Sequence, residues 1–109
     1  MRYSKGLVLG LFLLTLTSAA CAASSGQISK GKTIAKQVCA ACHGLSGIST
    51  ASNIPNLAGQ KQAYLEARVN GFRRQTIKGV TMGGMASSLS PNDVANVTAY
   101  YSSLRNCQK

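Results

Sequence analysis

With 109 residues, 45% of them apolar, and a net charge of +10, the chain is short enough for one domain. An aromatic content of 6% and the absence of tryptophan leave it a thin core. A domain of that size generally needs a staple beyond its own apolar side chains.

The chain opens as an export signal. Arg2 and Lys5 give a basic start, and Leu7 to Leu16 (LVLGLFLLTL) is an apolar run too short to span a bilayer with ease. The small residues TSAACAASSG follow, with cleavage expected after Ala20, Ala22 or Ala23. A retained membrane anchor is the competing reading. A lipoprotein variant stays open at Cys21, which follows Ser18-Ala19-Ala20 but lacks the leucine usual three residues before a lipidated cysteine. The expected organisation is a signal peptide over 1–22 and one domain over 23–109. That domain carries ten basic side chains against Glu66 and Asp93, a net charge of +8. Export removes the protein from DNA, so the charge does not point to nucleic acid. Exported chains meet oxidising conditions, yet Cys39 and Cys42 are too close to close a useful loop and Cys107 stands alone near the end. The staple is something other than a disulfide.

Ala22 to Gly26 reads as a flexible leader, and from Ser29 a helix is expected, with Ile34, Val38 and Cys42 on one face. Gly44 to Gly59 reads as loop, punctuated by Gly47, Asn53, Pro55 and Asn56. Gln62 to Phe72 reads as a helix because Tyr64, Leu65, Arg68, Val69 and Phe72 share a face. Arg74 to Leu89, with Gly79, Gly83 and Gly84, reads as a second loop. Ser90 then caps a last helix with Pro91 in its first turn and Asp93 reaching back. Val94, Val97, Tyr101 and Leu104 form its buried stripe, with Tyr100 beside it. No segment alternates over a strand's length and no repeat appears. The fold class is all-α, with two long glycine-bearing loops that suggest wrapping around something.

The segment C39-A-A-C-H-G44 contains two of the four cysteines and the single histidine. A structural zinc site needs four ligands, and no second cysteine pair is present. A thioredoxin-like pair expects strands around it, and none is predicted. A satisfied histidine beside the pair by chance is the bland reading. The third use of the spacing is covalent haem attachment, in which two thiols add to the haem vinyl groups and the next histidine ligates iron. The porphyrin then supplies the missing core. With His43 used, no second imidazole exists, and after signal removal only Met82 and Met85 remain. A thioether raises the potential of such a haem and keeps the iron six-coordinate. The competing reading makes both methionines apolar filler. Gly83 and Gly84 would let backbone approach the porphyrin.

The sequence resembles the class I cytochromes c, most closely the small bacterial c-553 kind and a single half of the diheme cytochrome c4. The resemblance covers roughly Ser29 to Leu104 and implies three to five helices and long loops around one covalent haem. Gly31 matches the family glycine at the crossing of the first and last helices, and Tyr100 matches the aromatic that meets it. P55-N-L-A-G-Q60 is similar to the segment in which a proline carbonyl orients the ligand histidine, so that role falls on Pro55. M82-G-G-M-A-S-S-L-S-P-N-D-V resembles the methionine loop, and its register makes Met82 the ligand rather than Met85. The implied cofactor set is one haem c bound through Cys39 and Cys42, with iron between His43 and Met82. Ala35 stands where mitochondrial-type members have a bulky aromatic, so the crossing is packed differently here. Cys107 is outside the pattern; it is free, pairs with Cys21, or bridges two chains.

The resemblance implies a periplasmic, mobile one-electron carrier. Its partners are redox proteins with acidic faces, and it meets a membrane only transiently or through a lipid anchor at Cys21. The alternative is a permanent haem subunit of a periplasmic dehydrogenase. A ligand-binding or peroxidatic haem protein would need a vacant iron position, which Met82 argues against.

Overall fold

The computed structural model describes residues 23–104, and Gly10 alone before them. The expectations for the rest of the signal segment, Cys21 and Cys107 lie outside the described residues. Among the described residues the elements are α1 (Ser25–Ile34), a π-helical turn (Ala35–Cys39), α2 (Ala40–His43), α3 (Gln62–Arg73), α4 (Val80–Ser87) and α5 (Pro91–Ser103), with no strands.

The first helix starts earlier than Ser29. Ser24 sits at its N-cap in extended geometry, and its Oγ accepts the Gln27 N–H at 3.2 Å. The expected flexible leader over 22–26 is corrected at its second half: Ser25 and Gly26 are helical. The helix runs without a break into the cysteine pair, but through a wider turn in which the Ala40 N–H reaches the Ala35 carbonyl. Ala35 is fully buried, while Val38 and Cys42 turn toward the cavity described below.

α1 and α5 cross at Gly31. A Cβ there would lie 2.6 Å from the Asn96 carbonyl carbon and 2.8 Å from the Tyr100 Cβ. Two helix backbones come this close only where one of them lacks a side chain. At the crossing, Ala35, Leu65, Val97, Tyr100 and Tyr101 form the core, with Ile28, Ile34, Leu45 and Leu57 packed against it. The tyrosine rings lie 5.2 Å apart at 58°, in the same cluster as the small Ala35. α5 carries the expected capping box: Ser90 Oγ accepts the Asp93 N–H at 3.1 Å, and the Ser90 N–H donates to the Asp93 carboxylate at 2.9 Å. That backbone N–H, then the Ser90 hydroxyl, holds the Asp93 carboxyl below its usual range. Val94, Val97 and Tyr101 are buried as expected, whereas Leu104 is the half-buried C-cap.

The second expected loop, 74–89, is corrected by α4. Gly83 and Gly84 argued against a helix at about 1 kcal/mol each. Packing offsets them. α4 lies on α3, and the Phe72 ring fills the space beside Gly79, 2.8 Å from where a Cβ would stand. The real turn is shorter, from Arg74 to Gly79, with Gln75 at φ 61.

Gly31→Ala forces the two backbones apart. Its unfolding free energy in denaturant should fall by about 1–3 kcal/mol. An unchanged midpoint would contradict the crossing.

Candidate functional site

α2, α3, α4, α5 and the 44–61 loop enclose one cavity of about 580 Å³, within the ~300–1,000 Å³ usual for cofactor pockets. Its wall is mostly apolar: Val38, Leu57, Leu65, Val69, Phe72 and Leu89 all contribute. The five residues expected on one face of α3 all line it. So do the five residues singled out as a site by the sequence, Cys39, Cys42, His43, Pro55 and Met82. Met85 lines it as well, but is 39% exposed, whereas Met82 is half-buried.

His43 is buried, and its Nδ1 donates to the Pro55 carbonyl at 2.8 Å. With the proton on Nδ1, Nε2 keeps its lone pair, the form that ligates a metal. The bond depends on how the 44–61 loop returns to α2. Gly44 and Gly47 take φ of 78° and 74°, in the left-handed region that suits glycine. The Gly47 carbonyl accepts the N–H groups of Leu57 at 2.8 Å and Ala58 at 3.1 Å. Asn56 Oδ1 accepts the Ser49 N–H at 2.7 Å. α5 holds both ends of the loop: Tyr101 donates its hydroxyl to the Gly44 carbonyl at 3.0 Å, Tyr100 donates to the Leu45 carbonyl at 2.7 Å, and the Gly59 N–H donates to the Tyr101 carbonyl at 3.0 Å. The sequence offered Tyr100 and Tyr101 only as packing; their hydroxyl bonds carry no pattern that periodicity could reveal. Asn56 and Arg68 were likewise missed as site residues.

Burial pushes the Cys39 thiol up to about 11, while Cys42 is exposed. Burial also raises the Tyr101 phenol, with smaller contributions from the negative charges that Cys39 and Tyr100 would carry. Among the described residues no group of three or more His, Cys, Asp or Glu could hold a metal ion by itself. The donor set is instead two thiols, one oriented imidazole and two thioethers around an apolar cavity. It fits a large planar apolar group carrying its own metal, and haem attached at C-x-x-C-H is such a group. A Cβ at Gly83 or Gly84 would meet no side chain of another part of the protein within 4 Å.

The family model described as Cytochrome c matches residues 28–105. The chain is 37% identical to the cytochrome c4 of Pseudomonas aeruginosa over 91 residues, which is 84% of this chain and 45% of that protein. It is 44% identical to the cytochrome c-554(548) of Halomonas halodenitrificans over 68 residues, 60% of this chain and 82% of that one. It is 36% identical to the thiosulfate dehydrogenase electron acceptor of Stutzerimonas stutzeri strain A1501 over 69 residues, 61% of this chain and 32% of that protein. The chain spans about half the length of the cytochrome c4 relatives it matches.

Tyr101→Phe removes the bond to Gly44 and should lower stability at neutral pH by about 1 kcal/mol. The folded state raises the Tyr101 phenol above its free value, so the stability it contributes is fully present below about pH 10. That stability is lost as pH rises through the folded value. Denaturant unfolding at rising alkaline pH should therefore show a shallower loss in the variant than in the wild type. Parallel curves would contradict it.

Proposed function

We propose a function from a firm premise: the chain belongs to the cytochrome c family. Membership brings one covalently attached haem c whose iron is held between a histidine and a methionine. On that premise the protein is an exported one-electron carrier that shuttles between redox partners of the periplasm and its membrane. The observation that supports this best is that the C-x-x-C-H residues and both methionines line a single apolar cavity.

When bound, haem c supplies an iron centre that takes up and gives back one electron. Cys39 and Cys42 supply the two thioether links. His43 offers Nε2, held in orientation by its bond to Pro55. Met82 on α4 offers its sulfur, and Met85 serves as a more exposed neighbour. With His43 and Met82 both holding the iron, no position would remain for substrate.

Export is carried by residues 1–22, with cleavage near 20–23 and a lipid anchor at Cys21 as the variant form. Among the described residues no helix is long and apolar enough to cross a membrane. The net charge of +8 over 23–109 suits a partner with an acidic docking face, because opposite charge steers encounter. The relative named as the electron acceptor of thiosulfate dehydrogenase supports an enzyme as one such partner. It is also compatible with the second reading, a permanent haem subunit of a dehydrogenase.

The oxidised protein should show the weak near-infrared band of sulfur-ligated haem iron. Met82→Ala should abolish the band and Met85→Ala should leave it; the reverse pattern would move the ligand to Met85.

The second-order rate of electron exchange with a candidate partner, followed by stopped flow, should fall steeply between 0.01 M and 1 M salt, as the screening length drops from about 30 Å to about 3 Å. A flat rate would show that the lysines and arginines do not guide docking. A partner that stays bound through purification at high salt would support the permanent-subunit reading instead.

A further inference from the structure

Among the described residues, Arg68 is the only lysine or arginine that lines the cavity. It sits on the exposed side of α3, at the cavity's rim, and its guanidinium lies 5.5 Å from the Phe72 ring centroid, within cation–π range. That contact keeps the side chain against the wall. Neither described carboxylate answers its charge: Glu66 accepts from Gln62 at 3.0 Å, and Asp93 closes the capping box at the start of α5. The other polar groups of the wall that bond within the chain are neutral. Asn56 Oδ1 accepts the Ser49 N–H, the Thr98 hydroxyl donates to the Val94 carbonyl, and the Tyr101 hydroxyl donates to the Gly44 carbonyl.

Haem carries two carboxylates on one edge of an otherwise apolar ring. A carboxylate against an apolar wall is costly unless a cation meets it. A guanidinium meets it best, because its planar fork matches both oxygens. We infer that Arg68 receives a haem carboxylate at the α3 rim, and that it is a positioning residue which keeps that carboxylate ionised. The inference rests on the haem reading above. It assigns a role to α3 beyond its apolar face: the face with Leu65, Val69 and Phe72 takes the ring, and Arg68, one turn from both Tyr64 and Phe72, takes the acid.

The consequence is electrostatic. An opposite charge within ~4–6 Å lowers a carboxylate pKa by roughly one to three units. The other titratable groups on the elements around this wall are Lys61, Tyr64 and Glu66 at the start of α3, and Arg73, Arg74 and Lys78 beyond its end. Cys42 and His43 come from α2, Lys36 and Cys39 from the π-helical turn before it, and Asp93, Tyr100 and Tyr101 from α5, while α4 brings none. Of the cations among these, Arg68 alone lines the cavity.

The test uses the whole mature holoprotein with carbon-13 in the haem carboxylates, followed by NMR across a pH series. Acid-acetone treatment of the denatured protein comes first. Haem that extracts into the solvent would sink the haem reading itself, separately from the role of Arg68. With haem retained, one carboxylate in the wild type should stay ionised to lower pH than the same carboxylate in Arg68→Gln. The expected upward shift in the variant is about one pH unit or more, a tenfold change in the protonation equilibrium. Arg68→Lys should give a smaller shift, and Arg74→Gln, which removes the same charge away from the cavity, should give none. Equal titrations in wild type and Arg68→Gln would overturn the assignment. A crystal structure of the wild-type holoprotein needs no variant. It should show a haem carboxylate within about 3 Å of the guanidinium, and both carboxylates directed away from α3 would overturn the proposal.

Discussion

The hydrogen bond from His43 Nδ1 to the Pro55 carbonyl, 2.8 Å long, is the contact on which the rest of the site depends. It decides which imidazole nitrogen is free and how the ring stands in the cavity. The two partners are twelve residues apart, so the bond exists only if the intervening chain returns to its start. Glycines at 44 and 47 make that return possible in the backbone. Tyr100 and Tyr101 fix it from α5 by holding the Gly44 and Leu45 carbonyls. α5 is itself placed by its crossing with α1 at Gly31. One imidazole is thus oriented by a chain of contacts that runs through both terminal helices.

The same arrangement explains how so small a domain stays folded. The core proper is a handful of side chains around Ala35, Leu65, Val97, Tyr100 and Tyr101, and a cavity of about 580 Å³ lies beside it. An attached porphyrin turns that cavity into packed interior, and the apolar wall becomes buried surface. Burial pushes the Cys39 thiol up to about 11, so the sulfur is neutral before attachment and stays neutral as a thioether. Among the described residues every lysine and arginine but Arg73 is exposed.

Much of this was readable in the sequence because short spacings imply chemistry directly. C-x-x-C-H fixes ligand types with few alternatives, the Ser90 capping box fixes the start of α5, and the α3 stripe predicted five cavity residues. The readings that failed were those in which tertiary contacts outweigh local preference. Gly83 and Gly84 disfavour a helix, yet α4 forms because α3 and Phe72 pack against it. Gly26 suggested a flexible leader, but Ser24 caps a helix just before it. The π-helical turn at Ala35–Cys39 has no sequence signature at all. The tyrosine hydroxyl bonds and the position of Arg68 on the cavity rim are also long-range facts, set by where helices meet.

If His43 and Met82 hold the iron of one haem between them, the protein exchanges electrons and has no iron position open to a small ligand. Exposure of the reduced holoprotein to carbon monoxide tests this most directly. The absorption spectrum should be unchanged after addition of the gas. A spectrum converted to that of a carbon monoxide complex at neutral pH would show an open or labile iron position, and would contradict the carrier assignment.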